Sequence, residues 1–355
     1  MTEDRSSWPG RRGYRMPAEW APHAATWLSW PHNRETWPGS FAPVEPAMVG
    51  VVRALAQSED VHINVLDAEH EAHVERLLAG HADLRRVHLH RVPTNDAWVR
   101  DHGAIFVIAD PAEGAGEPLL AIDFEYNAWG GKYPPYDLDR RVARRMAEVL
   151  GVPRFAPGIV LEGGSIDVNG EGVLLTTEQC LLNPNRNPGL ERAGIERILR
   201  DALGVEQVVW LGEGIEGDDT DGHVDDLTRF VADATVITVV EPNRADPNHA
   251  PLLANRRRLE EAAVGAGRLN VVELPLPEPL FSAGQRLPAS YANFYIANEI
   301  VLVPVFACSR DAAACAILAD WFPGRRIVPI DSRALVAGLG AVHCLTQQVP
   351  STEAP

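Results

Sequence analysis

The densest set of residues that could do chemistry lies at positions 217–227, which read GDDTDGHVDDL. Five acidic residues and one histidine fall within these eleven positions, with no lysine or arginine. Glycine, threonine and a run of aspartates favour turns and caps over a helix. Because so many carboxylates repel each other without a cation, this stretch is either a solvated acidic turn or one wall of a cation site.

His223 and Asp225 make the cation site the sharper hypothesis for this loop. They stand two positions apart, so an extended segment through both would point their side chains to the same face. An imidazole beside a carboxylate in an acidic pocket suits proton transfer near a cation. We therefore predict an acid–base role for His223.

A candidate nucleophile lies near the other end of the chain. Cys344 belongs to the segment LVAGLGAVHCLTQQ, in which Gly338 and Gly340 predict a loose, open approach. A cysteine of this kind is either a small core residue or a nucleophile. A thiol becomes strongly nucleophilic when it is deprotonated, and a nearby cation, including a cationic substrate, favours the thiolate.

These chemical residues recur at a nearly constant interval. Asp101 and Glu162 are 61 positions apart, Glu162 and His223 are 61 apart, and His223 and Cys344 are 121 apart, about two such periods. The skipped position falls near Gly284. A period of about 60 residues indicates several copies of one supersecondary unit that share a core. Equivalent loops of a closed ring would meet at its axis and form one site.

The elements that would position these loops repeat in the order polar loop, hairpin, helix, strand. Hairpin turns are predicted at or near Asn169-Gly170, Ala232-Asp233 and Ala297-Asn298. Helices are predicted over 43–58, 137–150, 189–203, 251–265 and 312–319. Buried strands are predicted at 61–66, 87–92, 158–161, 207–211, 269–274 and 325–330.

The converging stretches are 98–101, 162–164, 219–225 and 343–344. Two or three carboxylates that face a nucleophilic cysteine would hold a planar guanidinium group by paired hydrogen bonds. Any single aspartate, such as Asp101 or Asp225, is more commonly a structural cap. Trp98 either packs in the core or stacks on the bound cation.

Composition limits the class of protein. At 355 residues the chain can bury a large core, and its net charge of −17 argues against nucleic acid and leaves cationic small molecules open. Four cysteines without a CxxC pair fit a reducing cytoplasm, and no apolar run of about 18 residues predicts a membrane span. We predict a flexible lead-in at 1–14, a single catalytic domain at 15–350 and a frayed tail at 351–355. A homo-oligomer stays an open alternative.

Other interpretations of the acidic loop fit less well. Residues 212–217 match GxGxxG, but the following DDTDG would repel a pyrophosphate. A calcium loop aligned on Gly222 would place Gly217 and Thr228 at its first and last ligand positions. A His-x-Asp metal site lacks a second histidine cluster nearby in sequence.

Taken together, the motifs resemble those of the agmatine deiminase family, within the guanidine-modifying enzymes of pentein fold. The similarity extends from MPAEWAPH (16–23) to HCLTQQVP (343–350). It includes NDAWVRD, FEYNAWGGKYPP, LEGGSIDVNG, DDTDGHVDDL and SYANFYIAN. The resemblance implies an α/β fold, a five-bladed propeller of ββαβ units around a central site.

The resemblance also implies roles for particular residues. Cys344 is implied as the nucleophile, His223 as the general acid and base, Asp101 and Asp225 as guanidinium clamps, and Glu162 as an assisting group. The implied reaction passes through a covalent thiouronium intermediate and turns agmatine into N-carbamoylputrescine and ammonia. No metal and no organic cofactor is implied.

Substrate choice is less strongly predicted than reaction type. The family usually shows GGGNIHC before the nucleophile, whereas this chain has Leu339 and Ala341 in place of a glycine and the asparagine. Trp98, Trp129 and Asp219 are the predicted substrate-binding residues, with Asp219 favouring a diamine-like tail over the carboxylate of arginine. Deimination of another guanidine such as peptidyl-arginine, amidino transfer, and a non-catalytic polyamine-binding module remain alternatives.

Overall fold

The computed structural model describes residues 6–39, 41–109, 116–265 and 267–353. The strands within these ranges are β1 (His23–Ser29), β2 (Asp60–Val65), β3 (Val87–Arg91), β4 (Ile105–Ile108), β5 (Leu119–Ile122), β6 (Arg154–Phe155), β7 (Asp167–Val168), β8 (Val173–Thr177), β9 (Gln207–Leu211), β10 (Thr228–Ala232), β11 (Thr235–Val240), β12 (Ala263–Val264), β13 (Gly267–Arg268), β14 (Asn270–Pro275), β15 (Phe281–Ser282), β16 (Gln285–Arg286), β17 (Tyr295–Ile296), β18 (Ile300–Val305), β19 (Arg326–Asp331) and β20 (Gln347–Pro350). The helices are α1 (Val44–Leu55), α2 (Ala68–Leu78), α3 (Val99–His102), α4 (Ala128–Gly131), α5 (Val142–Leu150), α6 (Glu178–Leu181), α7 (Arg192–Leu203), α8 (His249–Glu261) and α9 (Asp311–Trp321).

Five sheets share one connectivity, in which an antiparallel pair is followed by a helix and then by a parallel strand. Four of them are β4-β5-β6, β7-β8-β9, β10-β11-β14 and β17-β18-β19. The helices α5, α7, α8 and α9 form the four crossovers. A parallel pair needs such a crossover because the chain must return to the same end of the sheet. These units are the predicted ββαβ repeat.

The fifth sheet uses both ends of the chain. Strand β20 pairs antiparallel with β1, and β1 pairs parallel with β2 after the crossover through α1, with β3 added beyond β2. In this register Thr26 lies opposite Gln348 and Val61. The C-terminal strand therefore completes the first unit, and the pentein prediction is confirmed.

The helices pack through the apolar stripes that the sequence predicts. In α1, Met48, Val51, Val52 and Leu55 are all fully buried. Burying one such side chain stabilises the fold by roughly 1.5–3 kcal/mol. Helix α2 begins at Asp67, whose side chain accepts hydrogen bonds from the backbone of two residues in its first turn.

The predicted hairpins agree with the structure, and one predicted strand does not. The Asn169 side chain accepts from the backbone N–H groups of Glu171 and Val173, and Gly170 takes a left-handed φ of 76°. Residues 158–161 were predicted as a strand, but they form only one isolated bridge, at Val160. The parallel strand of that unit is instead β6, because the Pro157-Gly158 turn separates the two segments.

Both ends of the described chain contact the domain. In the predicted lead-in, Trp8 and Tyr14 are buried, and the Tyr14 hydroxyl donates to the Glu117 carbonyl at 2.6 Å. The Ser351 backbone N–H donates to the Pro22 carbonyl at 2.7 Å, while residues 1–5 and 354–355 lie outside the described residues. Within the described ranges, no helix is both long enough and apolar enough to cross a membrane.

Candidate active site

Each of the five units contributes one polar turn immediately before its first strand. Asp101 lies in α3 before β4, and Glu162 precedes the turn Gly163–Ser165 before β7. Asp225 lies in the turn Val224–Asp226 before β10. Asn293 and Cys344 precede β17 and β20. The predicted convergence of equivalent loops therefore extends to all five units.

The skipped position of the repeat is Asn293 rather than Gly284. The chain makes an extra two-stranded hairpin, β15-β16, between the β10-β11-β14 unit and the β17-β18-β19 unit. Gly284 lies in the turn of this hairpin. The insertion shifts the fourth polar turn nine positions later, so equal spacing pointed to the wrong residue.

Three predicted residues surround one point in space. A Cβ atom placed on Gly164 would lie 2.7 Å from His223 Nδ1, 2.9 Å from Asp101 Oδ1 and 3.0 Å from Asp225 Oδ2. The extended segment expected through His223 and Asp225 is wrong, because Val224–Asp226 is a 3-10 turn. Both side chains nevertheless reach the site, because each has an atom within 3.0 Å of the Cβ position of Gly164.

A cavity of about 850 Å³ opens onto Asp101 and Cys344. The predicted residues on its wall are Trp98, Asp101, Trp129, Asp219 and Cys344. Glu162, His223 and Asp225 are not part of this wall; all three are buried behind Asp101 and Cys344. The structure thus brings the eight predicted site residues into one region, with the acid–base residue below the cavity.

Cys344 has two donors, the Asn293 amide and the Ala341 backbone N–H, and one acceptor beside its sulfur. Asn293 Nδ2 lies 3.1 Å from Sγ, and Asp225 Oδ2 lies 3.8 Å from it. Burial raises the pKa of the Cys344 thiol well above its ordinary value, and the charges of Asp225, Asp226 and Asp101 raise it further. The sulfur is therefore a neutral thiol at neutral pH until a cation offsets these carboxylates.

His223 has the opposite protonation state. Burial alone would lower the pKa of its imidazole, but the charge of Asp101, with Cys180 and Glu162 also beside the ring, raises that pKa well above its ordinary value. The nearest Asp101 oxygen lies 3.7 Å from Nδ1. His223 is therefore an imidazolium that can give a proton to a leaving group.

Asp225 is held by the buried side chain of His343, which also contacts Glu19. His343 Nδ1 bonds Asp225 Oδ2 at 2.7 Å, and His343 Nε2 bonds Glu19 Oε2 at 2.9 Å. Burial opposes ionisation of Asp225, but the hydrogen bond and charge of His343 outweigh it and lower the pKa of Asp225. Its Oδ1 has no hydrogen-bond partner among the described residues, so it can accept from a ligand.

Asp101 is oriented by one donor from its own unit, Trp129, and one from the next unit, Gly164. Its Oδ1 accepts from the Gly164 backbone N–H and its Oδ2 from Trp129 Nε1, both at 2.9 Å. Trp129 can reach this oxygen because its backbone takes a left-handed φ of 55° in α4. Burial raises the pKa of Asp101, as do the charges of the neighbouring Asp225 and Glu162.

Glu162 forms an ion pair below the cavity. Its Oε1 accepts from Arg186 Nε at 2.7 Å, with both side chains fully buried. Donor atoms of Glu162, Cys180 and His223 lie within 4.8 Å of one another, and this is the group among the described residues that could hold a metal ion. Carboxylate, thiolate and imidazole suit zinc, but the adjoining Arg186 already supplies positive charge to this carboxylate.

The outer part of the cavity carries Asp219 and the altered glycine loop. The Tyr133 hydroxyl donates to Asp219 Oδ2, and Lys132 Nζ donates to the Asp219 carbonyl and to Asp221 Oδ1. Leu339 lies on the wall with a φ of 71°, a conformation that favours glycine. The leucine thus adds apolar surface to the wall at some cost in backbone strain.

Trp98 has a packing role that the sequence left open. Its ring lies 5.4 Å from that of Trp37, and a Cβ atom on Gly340 would approach it to 2.5 Å. Gly340 therefore has no room for a side chain. One edge of Trp98 remains on the cavity wall beside Cys344.

Sequence reasoning missed three groups that shape the site, namely Glu19, Asn293 and Arg186. Glu19 accepts from His343 and forms an ion pair with Arg229 at 2.9 Å. The motifs MPAEWAPH and SYANFYIAN contain Glu19 and Asn293. The available signal was the placement of these two polar side chains, an acid and an amide, among apolar neighbours in otherwise buried segments.

Paired carboxylates and a protonated imidazole around one point, with a buried thiol beside Asp225, suit a site for a planar cation on a fold of five ββαβ units. Comparison with known proteins specifies the family. The chain belongs to the Porphyromonas-type peptidyl-arginine deiminase family, whose model matches residues 15–350. The resemblance to agmatine deiminases is thereby confirmed.

Relatives and solved structures agree on this assignment. The agmatine deiminase of Ectopseudomonas mendocina is 39% identical, over 97% of this chain and 98% of its own length. The structure of the agmatine deiminase of Enterococcus faecalis superposes with a TM-score of 0.89 at 33% identity, covering 98% of each chain. A C. jejuni agmatine deiminase with substrate bound gives a TM-score of 0.85 at 30% identity, covering 95% of this chain and 96% of that one.

Proposed function

We propose that this protein hydrolyses agmatine to N-carbamoylputrescine and ammonia in the reducing environment of the cytoplasm. The carrying observation is that His223, Asp101 and Asp225 surround one point, with the Cys344 sulfur 3.8 Å from Asp225. Full-length similarity to agmatine deiminases supports the substrate. The four cysteines are all unpaired thiols, which supports the location.

The guanidinium group binds between two carboxylates that face it from different units. Asp225 Oδ1 accepts from one guanidinium nitrogen and Asp101 from another, because paired acceptors match the planar donor group. The cation offsets the charges that raise the pKa of Cys344. Binding therefore releases the thiol proton to solvent and leaves a thiolate beside the central carbon.

In the first half-reaction the thiolate attacks that carbon. A C–S bond forms, and the carbon becomes tetrahedral. The His223 imidazolium then donates its proton to the departing nitrogen, the C–N bond breaks, and ammonia leaves. The remaining adduct is a thiouronium cation on Cys344, and Asp101 and Asp225 compensate its charge.

In the second half-reaction neutral His223 takes a proton from water while the oxygen attacks the same carbon. The C–S bond then breaks, and its electron pair returns to sulfur. The oxygen loses its remaining proton to solvent and becomes the carbonyl of the ureido product. His223 is again an imidazolium, and Cys344 regains its proton from solvent once the product leaves.

Asp219 favours a substrate with a positively charged tail. Asp219 lies on the cavity wall. Among the described residues, Lys132 donates to its backbone carbonyl, and the Tyr133 hydroxyl donates to its carboxylate. Agmatine places an ammonium at this end, whereas arginine would add a carboxylate. We expect agmatine to be turned over faster than free arginine, and faster arginine turnover would exclude this role for Asp219.

The experiment that tests the reaction is ammonia release across a panel of guanidines. The panel holds agmatine, arginine and a blocked arginine amide that imitates peptidyl-arginine. Cys344→Ala removes the nucleophile, and Cys315→Ala, a half-buried thiol on α9, is the matched control. We expect loss of at least about a thousandfold in the first variant and full activity in the second.

The same assay separates the alternatives. Equal background ammonia from wild type and Cys344→Ala would leave only the polyamine-binding module. Guanidine exchange onto an added amine, with no net ureido product, would indicate amidino transfer. Preferred turnover of the blocked arginine amide would change the substrate and keep the nucleophile.

A further inference from the structure

We propose that Asn293 is a catalytic residue that holds the Cys344 sulfur through an amide hydrogen bond. The inference rests on the proposed function and names a further group for that reaction, in the turn before β17. Asn293 is 1% exposed, and its Nδ2 lies 3.1 Å from Sγ. It occupies the same place before β17 that Asp101 and Asp225 occupy before their strands.

The orientation of the Asn293 amide follows from its other contacts. Its Oδ1 accepts from the backbone N–H of His343 at 3.0 Å and from that of Cys344 at 3.4 Å. A flipped amide would place its NH₂ group against these two donors, which neither could satisfy. The nitrogen must therefore face the sulfur, and the same side chain fixes the nucleophile loop.

The second amide proton is also used. Nδ2 lies 3.0 Å from Asp226 Oδ1 and 3.4 Å from Asp225 Oδ2. Burial raises the pKa of Asp226 well above its ordinary value, and the charge of Asp225 adds to this effect. Asp226 therefore accepts the second amide proton and anchors the Asn293 side chain beside Cys344.

The amide opposes the charges that face the sulfur from every neighbouring turn. Asp101 faces Cys344 from the turn before β4, and Asp225 and Asp226 face it from the turn before β10. His343, its neighbour in sequence, is turned toward Asp225 and Glu19. Asn293 is the side chain that donates to Sγ, alongside the Ala341 backbone N–H, whereas Asp225 presents a carboxylate oxygen.

Negative charge sits on sulfur at two points of the reaction. The thiolate carries it before attack, and the electron pair returns when the C–S bond breaks in the second half-reaction. A fixed N–H donor at 3.1 Å stabilises both states, as donors in an oxyanion hole stabilise oxygen. Asn293 contacts sulfur rather than substrate, so its contribution belongs to kcat more than to KM.

Two variants and one matched control test this role. Asn293→Ala removes the donor, and Asn293→Asp keeps an acceptor for the loop backbone while replacing the NH₂ group. Asn255→Ala is the control, because Asn255 is equally buried and bridges Gly212 N–H and the Glu213 carbonyl away from the site. The measurements are kcat and KM for agmatine and the pH profile of Cys344 alkylation by iodoacetamide.

We expect kcat to fall by about 10² in both Asn293 variants, with KM changed by less than about threefold. The alkylation midpoint should move to higher pH, while Asn255→Ala changes neither quantity. An unchanged alkylation profile together with wild-type kcat in Asn293→Asp would overturn the proposal. If no guanidine is a substrate, the proposed function fails, and the alkylation profile still decides whether Asn293 stabilises the thiolate.

Discussion

At the scale of single residues, the proposed mechanism needs a protonated His223 and a Cys344 thiolate. The free protein has only the first of these. His223 is an imidazolium because Asp101 stabilises its charge, and Cys344 is a thiol because burial and carboxylates oppose ionisation. A guanidinium bound between Asp101 and Asp225 favours the Cys344 thiolate and leaves His223 protonated. The substrate charge is therefore part of the machinery that activates the nucleophile.

This coupling predicts two different pH profiles. In kcat/KM, which reports the free protein, the rate should rise with pH as Cys344 loses its proton and fall as His223 loses its own. Both pKa values are raised, so the optimum should lie on the alkaline side of neutrality. The acidic limb of kcat should lie at lower pH, because bound cation lowers the pKa of Cys344. Coincident acidic limbs in kcat and kcat/KM would contradict substrate-dependent ionisation.

Gly164 gives a second prediction at this scale. A Cβ added to Gly164 would lie 3.0 Å or less from side-chain atoms of His223, Asp101 and Asp225. These groups must then move apart, and misplacement by about 1 Å can cost about 10² in rate. Gly164→Ala should therefore lose about a hundredfold or more in kcat/KM. Gly189→Ala, with open space around its Cβ, should keep wild-type kinetics and a comparable melting temperature. Wild-type kinetics in Gly164→Ala would show that the substrate binds elsewhere.

At the scale of elements, the local pattern predicts most of the fold. Turn chemistry at Asn169-Gly170 and the apolar stripe of α1 depend on neighbours in sequence, so both agree with the structure. Asn293 was missed because the β15-β16 hairpin breaks the interval, and its length carries no local signal. Glu19 was missed because its partners, His343 and Arg229, lie more than 200 positions away.

Asp139, the first residue of the 3-10 turn before α5, gives a prediction at the scale of elements. It lies in the 3-10 turn that leads into α5 and accepts from the backbone N–H groups of Asn95 and Asp96. Burial, with the charge of Asp96, raises its pKa to about 7, whereas an unfolded aspartate has a pKa of about 3.9. The folded state binds this proton more tightly, so the contribution to stability is present at low pH and is lost as pH rises through about 7.

Asp139→Asn should therefore change stability in a pH-dependent way. The amide oxygen still accepts from both N–H groups but never ionises. We expect a melting temperature above wild type at about pH 8 and a clearly smaller gain at about pH 5, where the carboxyl of Asp139 is still protonated in the folded state. Asp137→Asn, which alters an exposed carboxylate two positions earlier, should show no such difference. Equal gains at both values would mean that the carboxylate of Asp139 stays charged in the folded protein.

At the scale of the whole molecule, the proposed nucleophile lies where the first and last strands of the described chain pair. Cys344 directly precedes β20, which pairs with β1, and its carbonyl accepts from the Arg100 backbone N–H at 3.2 Å. Glu19, near the start of the described chain, binds His343 beside it. The catalytic geometry therefore forms only when the first unit is completed by the C-terminal strand. Sequence could predict this closure from the unit count but not the contacts that fix it.

The net charge of −17 gives the last prediction, because a negative field attracts a cationic substrate. Agmatine carries two positive charges, whereas N-butylguanidine keeps the guanidinium and lacks the tail ammonium. Since the screening length is about 10 Å at 0.1 M salt, added sodium chloride should lower kcat/KM for agmatine several-fold between about 0.01 and 0.5 M. The decrease for N-butylguanidine should be smaller, and kcat should change little for either. Equal decreases for the two compounds would assign the whole effect to the guanidinium end, and Asp219 would then have no part in attracting the tail.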